Sequence, residues 1–273
     1  MRTRTLLSLS GLLALALACS TVEYTGRSQF NVVPESVMNS LGVEAYTEAG
    51  QQYPESKDTQ KRALIERVGK RIAAAVERDY QWEFKLFEAN VVNAWCLPGG
   101  KVGFYTGILP ICENEDGIAV VMGHEVAHAF ARHGAERMTQ NVVVKLGLGA
   151  ADLVLSGSSP GTHDGIMQAL GFTTNLGVLK YSRDHESEAD ELGLRFMVRA
   201  GYNPEESVKL WERMARLSEG KAPPEFLSTH PSSEHRAARL RELIPRIVAE
   251  ESARKGSGGG DGAARKNIGN RKL

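Results

Sequence analysis

The chain has 273 residues, of which 42% are hydrophobic and 24% charged, a balance that can build a sizeable globular core. Basic and acidic residues number 33 each, so the formal net charge at pH 7 is zero. A nucleic-acid-binding protein normally needs a basic face, so this balance argues against a nucleic-acid partner.

The chain opens with the pattern of an export signal. Arg2 and Arg4 precede a short apolar run that ends at Ala18. This run is shorter than the roughly 20 residues that a membrane-spanning helix needs, and it matches the length of a secretory signal. We therefore predict a signal peptide over residues 1–18.

Cys19 follows small residues and precedes Ser20, an arrangement that resembles the processing site of bacterial lipoproteins. The resemblance implies cleavage before Cys19, attachment of a lipid to it and anchoring to a membrane, the outer membrane in view of the serine. We expect a periplasmic lipoprotein in which residues 19–33 form a polar, lipidated tether. The alternative is a plain signal peptide followed by an incidental cysteine.

Residues 34–252 are predicted to form a predominantly helical α+β domain. In its first half, stretches with helical spacing precede short stretches with β alternation, and Pro98-Gly99-Gly100 favours a tight turn. The predicted elements of this half are helices over 34–49 and 57–78 and strands over 82–86, 91–97 and 101–106. These strands are expected to form a small antiparallel sheet.

The second half of this domain is predicted to be helical. Asn114, Glu115 and Asp116 favour a helix start, and the helix is expected to run through Phe130 and on to Met138. Further helices are predicted over 182–200, from 203 onward and over 233–251.

Three other stretches of the second half have a distinct composition. Residues 142–155 and 165–179 are apolar but interrupted by polar residues and glycines, and we interpret them as core, as active-site cover or as a lipid-contacting surface. Residues 253–273 are glycine-rich and basic without apolar periodicity, and we predict that they are disordered.

Two cysteines remain after the signal region, Cys96 and Cys112. An oxidising compartment would permit a disulfide between them, but both lie in apolar segments where buried free thiols are common. We expect two free thiols. Neither belongs to a Cys-x-x-Cys pattern, which argues against redox chemistry.

The strongest chemical signal is the sequence Gly-His-Glu-Val-Ala-His over residues 123–128, inside an apolar helical stretch. His124 and His128 are four residues apart, so a helix presents both imidazoles on one face, where they can bind one zinc ion. Glu125 lies beside the first histidine and is predicted to be the general base that takes a proton from the attacking water. Burying these side chains without a metal or partners would be costly.

A third ligand is expected in the acidic stretch over residues 182–190. Glu186 is the preferred candidate, with His185 as its rival, and three protein ligands would leave the fourth position open for water. Asp190 lies one helical turn after Glu186 and can accept the distal N–H of a ligating histidine. Glu188 points to another face of the helix and is interpreted as a solvated charge.

The pairing of His-Glu-x-x-His with Glu-x-Glu-Ala-Asp over residues 186–190 resembles the zinc metallopeptidase (gluzincin) family of HtpX and the CAAX prenyl proteases. Asn-Ala at 93–94 before the Pro-Gly-Gly turn resembles the family's strand beside the active-site cleft. Ser-Thr-His-Pro at 228–231, followed by Arg236, resembles the soluble periplasmic branch of the family, of the BepA and LoiP type. The membrane-embedded branches carry spanning helices, for which this sequence offers no candidate.

The resemblance implies a zincin-like fold in which a small antiparallel sheet lies beside the helix that carries the histidines. It implies one zinc ion per chain, held by His124, His128 and Glu186. It also implies that Glu125 is the catalytic base and that Asp190 supports a ligand.

The resemblance places His230 near the metal, either stabilising the oxyanion or occupying the fourth coordination position in a resting state. The alternative is an exposed histidine before a proline. Arg236 is implied to support this region. We interpret His133, His163 and His235 as structural or solvent-facing.

The function that these features imply is hydrolysis of peptide bonds in unfolded or misassembled cell-envelope proteins. Such a substrate would add a strand to the sheet edge near residues 93–97. The rival is a latent protease or a non-catalytic periplasmic chaperone or assembly lipoprotein with the same fold. Glu125 favours the enzyme, because a structural zinc site needs no base. The expected partners are these substrates and a membrane reached through Cys19, with no nucleic acid.

Overall fold

The computed structural model describes residues 19–146, 181–217, 224–230 and 235–257. The predicted signal peptide over 1–18 lies outside the described residues. So do most of the two apolar segments, which are 142–155 and 165–179, as well as His163 and the part of the predicted tail after residue 257.

Helices make up most of the described part of the chain, as predicted. They are α1 (Glu35–Gln52), α2 (Thr59–Val76), α3 (Leu109–Cys112), α4 (Glu115–Phe130), α5 (His133–Leu146), α6 (Arg183–Arg199), α7 (Glu205–Leu217), α8 (Glu225–Thr229) and α9 (Arg236–Ser257). The strands are β1 (Cys19–Thr21), β2 (Ser28–Phe30), β3 (Glu83–Phe87), β4 (Ala94–Leu97) and β5 (Lys101–Tyr105). None of these helices has both the length and the apolar character needed to cross a membrane.

Strands β3, β5 and β4 form one sheet in that order. β4 and β5 pair antiparallel, with Ala94 opposite Phe104, and the predicted turn joins them. In this turn the Gly100 N–H donates to the Leu97 carbonyl at 3.2 Å, and Gly99 has a φ of +79°, which costs glycine little. β3 pairs with β5 in parallel. The alternation of apolar and polar residues predicts a strand but not whether it runs parallel or antiparallel to its neighbour.

The central helix is α4. Its N-terminus is capped by the Asn114 side chain, which accepts a hydrogen bond from the Gly117 N–H at 2.9 Å, as the sequence predicts. Every residue from Gly117 to His128 is buried. The helix is therefore surrounded by protein over most of its length, and its polar side chains must find partners inside the fold.

The predicted continuation of α4 to Met138 is wrong. α4 ends at Phe130, and Arg132 adopts a left-handed conformation with a φ of +57° before α5 begins. A single residue in this conformation interrupts a right-handed helix. Arginine is not typical of such breaks. The helical spacing of the sequence therefore gave no sign that the helix ends before this residue.

Helices α4 and α6 cross at two glycines. A Cβ atom on Gly193 would lie 2.9 Å from the carbonyl carbon of Gly123 and 2.9 Å from the backbone nitrogen of His124. The two backbones therefore meet directly at the residue that precedes the first histidine. This crossing places the acidic stretch of α6 against the histidine-bearing face of α4.

Residues 19–33 form a hairpin on the domain instead of a free polar tether. β1 pairs antiparallel with β2, with Cys19 opposite Phe30. Val22 and Val33 are only 3% and 1% exposed, so both are core residues. The polar composition of the segment concealed these two apolar anchors.

Helix α9 closes the described part of the chain. It runs to Ser257, past the predicted end at residue 251. Glu251 is buried and forms ion pairs with Arg195 and Arg199 of α6, each at 2.6 Å. These contacts hold the C-terminal part of α9 on the domain.

Cys96 on β4 and Cys112 at the end of α3 are free thiols, and both are buried. Burial raises the pKa of the Cys112 thiol to about 12 and that of Cys96 well above its usual value. Both thiols therefore stay protonated at neutral pH, where they are poor nucleophiles.

Candidate metal centre

Four side chains converge at the centre of the molecule: His124 and His128 from α4, Glu186 from α6, and His230 directly after α8. One potential ligand atom from each lies within 4.8 Å of the others, and all four residues are buried. The structure thus brings together the three predicted zinc ligands and the predicted nearby histidine, although they are distant in sequence.

The spacing of the donor atoms suits a single metal ion. His124 Nε2 lies 3.2 Å from His128 Nε2 and 3.3 Å from Glu186 Oε2, and His128 Nε2 lies 3.4 Å from Glu186 Oε1. Two ligands at about 2.0–2.1 Å from a tetrahedral zinc ion are separated by about 3.3 Å. Two imidazole nitrogens and one carboxylate are also a donor set that zinc accepts in catalytic sites. The residues therefore fit the metal.

The directions in which Glu186 and His185 project from α6 distinguish them as candidates for the third ligand. Glu186 faces the cluster, whereas His185 Nε2 lies 3.1 Å from Glu136 of α5. Burial by itself would raise the pKa of Glu186, but the adjacent His230 and His124 hold it far below its usual value. Glu186 is thus an anionic donor at neutral pH.

Asp190 occupies the predicted supporting position. Its Oδ1 lies 3.1 Å from His124 Nδ1 and 2.5 Å from Arg236 Nη2. Burial by itself would raise the pKa of Asp190, but Arg236 and His124 hold it below the usual value. The ionised carboxylate can therefore accept the Nδ1 proton of His124, which leaves Nε2 of that ring free for a metal.

Glu125 is buried beside the cluster. Burial raises the pKa of its carboxyl group to about 7. Its Oε1 lies 3.4 Å from His230 Nε2 but has no hydrogen-bond partner within the described part of the chain. A carboxyl group with these properties is suited to exchange a proton with a water molecule at neutral pH.

His230 and Arg236 line the same space. The backbone N–H of His230 donates to the Phe226 carbonyl at 2.8 Å, and the ring Nδ1 of His230 lies 3.0 Å from Glu186 Oε1. Arg236 Nη1 lies 3.2 Å from Glu186 Oε2, and its guanidinium group stacks 3.2 Å from the ring centroid of Trp211. His230 is 3% exposed, so the alternative of an exposed histidine is wrong.

The sequence did not reveal that Tyr181, His133 and Glu188 belong to this region. Tyr181 stacks on the His128 ring, with centroids 3.9 Å apart. His133 Nδ1 lies 2.9 Å from His128 Nδ1, and its Nε2 lies 2.8 Å from Glu188 Oε2. Because Glu188 is only 6% exposed, its interpretation as a solvated charge is wrong. The side of α6 that carries Glu188 is covered by α5 and the N-terminal hairpin and does not face solvent.

Comparison with known proteins agrees with this geometry. The sequence profile of Peptidase family M48 matches residues 59–244, which is more than half of the chain. The chain belongs to peptidase family M48. The predicted resemblance to a zinc metallopeptidase family is thereby confirmed, as is the predominantly helical fold with a small sheet beside the histidine-bearing helix.

Three relatives of this M48 peptidase illustrate the range of the family. It is 39% identical to the mitochondrial metalloendopeptidase OMA1 of Schizosaccharomyces pombe over 82% of this chain and 66% of that protein. It is 29% identical to the beta-barrel assembly-enhancing protease of Escherichia coli K12 over 61% of this chain and 36% of that protein. It is 26% identical to the metalloprotease YcaL of Escherichia coli K12 over 85% of this chain and 96% of that protein. The chain thus spans less than two thirds of the length of the first two.

Proposed function

We propose that this chain is a zinc-dependent metalloendopeptidase. The observation that carries the proposal is the convergence of His124, His128 and Glu186 on one buried point, with the unpartnered carboxylate oxygen of Glu125 beside it. Membership of peptidase family M48 and the metalloendopeptidase relatives support the same activity.

Each residue of the site has a distinct task in peptide hydrolysis. Zinc held by His124, His128 and Glu186 would supply a Lewis acid that polarises the scissile carbonyl and lowers the pKa of water. Glu125 would take the proton of the attacking water and pass it to the leaving amine. Asp190 would keep His124 in the tautomer that binds through Nε2.

Strand β4 is the proposed docking edge for the substrate. It lies at the edge of the sheet and pairs only with β5 among the described strands. The backbone of Cys96 in this strand lowers the pKa of Glu125, so the edge lies near the carboxyl group of the proposed base. An extended substrate that paired with β4 would be recognised through its backbone, so sequence preference would be weak and unfolded chains would be favoured.

The proposed substrates are unfolded or misassembled cell-envelope proteins, and the proposed location is the periplasm, with a lipid on Cys19 as membrane anchor. The signal-like N-terminus supports export, and Cys19 is exposed, as a lipidation site must be. Similarity to a beta-barrel assembly-enhancing protease supports a role in envelope quality control. Equal cleavage of the folded and unfolded forms of one envelope protein would contradict this choice of substrate.

A latent protease or non-catalytic chaperone is the second candidate. The observation that favours it is His230, whose Nδ1 lies 3.3 Å from His124 Nε2 and 3.0 Å from Glu186 Oε1. From there it could serve as a fourth donor and exclude water from the metal.

The deciding experiment compares casein hydrolysis and zinc content in the wild type and in Glu125→Gln. Glutamine keeps the shape of the side chain but cannot accept the proton. We expect both proteins to bind one zinc ion and the variant to lose about 10²–10⁴-fold in rate. If both bind zinc and neither cleaves, the latent or chaperone candidate replaces the enzyme. If the variant cleaves as fast as the wild type, Glu125 is not the base.

A further inference from the structure

A chain of hydrogen bonds leads from His128 away from the metal centre. His128 Nδ1 lies 2.9 Å from His133 Nδ1, and His133 Nε2 lies 2.8 Å from Glu188 Oε2. His133 is fully buried and Glu188 nearly so. This chain lies on the side of His128 opposite to its donor atom Nε2, and hydrolysis itself makes no use of it.

The two hydrogen bonds fix the protons of both rings. A His128 that binds a metal through Nε2 carries its proton on Nδ1 and donates it to His133. His133 Nδ1 must then be an acceptor, so a neutral His133 carries its proton on Nε2 and donates it to the Glu188 carboxylate. In this one arrangement, each hydrogen bond between His128, His133 and Glu188 has one donor and one acceptor.

Glu188, the residue of this hydrogen-bond series farthest from the metal centre, is held by the N-terminal hairpin. Arg27 Nε donates to Glu188 Oε2 at 2.6 Å, and the Thr25 hydroxyl donates to the other oxygen of Glu188. Arg27 also donates to Glu136 Oε1 of α5 at 3.1 Å. Residues of two separate segments, α5 and the N-terminal hairpin, thus fix the Glu188 carboxylate. The hairpin lies outside residues 59–244, the part of the chain that matches the family profile.

We propose that His133 and Glu188 are positioning residues that orient His128 for zinc binding, and that Arg27 and Thr25 complete this support from the N-terminal hairpin. The proposal rests on the proposed function, because it takes His128 as a zinc ligand. It gives the two histidines equivalent supports: Asp190 with Arg236 for His124, and the His133–Glu188 pair with Arg27 for His128. Hydrogen-bond partners of this kind raise the basicity of a ligand and fix its ring plane.

The test measures zinc affinity of the full chain by competition with a chromophoric chelator. The variants are His133→Phe, which keeps the ring volume but removes the acceptor, and His133→Asn, whose Oδ1 takes the place of Nδ1. Glu251→Gln serves as the matched control, because it breaks a buried ion pair of α6 far from the zinc ligands. The absorption spectrum of the cobalt-substituted protein reports the geometry of the site independently of hydrolysis.

We expect His133→Phe to weaken zinc binding by about 10–100-fold and to shift the cobalt spectrum. Glu251→Gln should bind zinc nearly as the wild type does. His133→Asn keeps the acceptor for His128 but loses the contact with Glu188, so its zinc affinity should lie between those of the wild type and His133→Phe. If His133→Phe binds zinc as tightly as Glu251→Gln, His133 only fills space and the proposal is overturned. If the wild type itself binds no zinc, the proposed function fails together with this proposal. If the wild type binds zinc and His133→Phe binds it equally well, only this proposal fails.

A second variant covers the case in which His133→Phe does not fold. Glu188→Gln keeps the shape and can still accept the His133 proton, but it loses the charge that Arg27 holds. A loss of zinc affinity in Glu188→Gln supports the proposal. An unchanged affinity and cobalt spectrum in this variant would overturn it.

Discussion

His124 and His128 each direct one ring nitrogen at the cluster and the other at a hydrogen-bond partner. The partner of His124 is Asp190, fixed by Arg236, and the chain of partners behind His128 ends at Arg27. These hydrogen bonds fix the orientation of both rings. A site prepared in this way loses little conformational entropy on binding, which favours affinity.

Replacement of His230 tests its role at the metal centre. Its Nδ1 is within reach of the other donors, so we expect His230→Ala to release zinc to a chelator more readily than the wild type does. If His230 is the fourth donor, as the latent candidate requires, the variant should hydrolyse casein faster at saturating zinc because the fourth position is then open to water. Zinc affinity like that of the wild type together with a lower rate would instead mean that His230 stabilises the oxyanion.

The residues of the candidate site that lie on α4 could be predicted because their spacing within one helix defines a shared face. His124, His128 and Glu125 follow from a single six-residue motif. The residues that support them could not, since His133 and Glu188 are 55 positions apart and meet only through the packing of α5 on α6. A sequence gives no distance between two helices, so it could not tell a buried acid from a solvated one.

At the scale of elements, the crossing of α4 and α6 is the feature on which the site depends. We expect Gly193→Ala to destabilise the protein by about 1–3 kcal/mol, because the added methyl group would meet the backbone of α4. Zinc affinity should fall as well, since the helices would separate between His124 and Glu186. Urea denaturation and chelator competition measure the two effects.

Gly50→Ala is the matched control for this substitution. Gly50 is exposed on α1, and the nearest atom that a Cβ would meet is Lys85 Nζ at 4.0 Å. Alanine there should stabilise the protein by about 0.5–1 kcal/mol through its better helix propensity. A similar result for Gly193→Ala would mean that the crossing is not tightly packed.

The elements themselves were predicted where local signals exist. The Asn114 cap located the start of α4, and Pro98 with Gly99 located the turn between β4 and β5. The break at Arg132, the parallel direction of β3 and the hairpin over residues 19–33 were missed. Each of these is set by tertiary contacts, which override local propensity.

At the scale of the whole molecule, the proposed ligands come from α4 and α6, so a bound ion would link segments that are distant in the chain. Free zinc at 100 times its dissociation constant would add about 2.7 kcal/mol of stability. For a domain of this size we expect removal of zinc by a chelator to lower the melting temperature by about 5–10 °C.

Differential scanning calorimetry with and without chelator measures this shift, and restored zinc should reverse it. Glu186→Gln, which removes the anionic donor, should show no zinc-dependent shift. If the wild type melts at the same temperature with and without chelator, the ion does not contribute to the fold.

The ion pairs between α6 and α9 give stability a dependence on pH. Arg199 and Arg195 hold the pKa of Glu251 below its usual value, against the opposing effect of burial. A lowered native pKa stabilises the fold above the unfolded pKa of about 4.3, and this contribution is lost as the pH falls through the native pKa. We expect Glu251→Gln to cost about 2 kcal/mol at pH 7 and progressively less below about pH 4.

Urea denaturation at several pH values tests this dependence, with Glu250→Gln as control. Glu250 is 42% exposed on its side chain and pairs with Arg195 and Arg246. Its replacement should change stability by less than about 1 kcal/mol. A cost for Glu251→Gln that is constant between pH 7 and pH 4 would contradict the assignment.

If Cys19 carries the proposed lipid, the hairpin over residues 19–33 limits how far the domain could lie from the membrane. A flexible linker of about 15 residues would have an end-to-end distance of about 20 Å between the lipid and the domain. Here Cys19 is already the first residue of β1, and Val22 is in the core three positions later. A lipid on Cys19 would therefore hold the domain close to the bilayer, which would favour substrates at the membrane surface over those farther away.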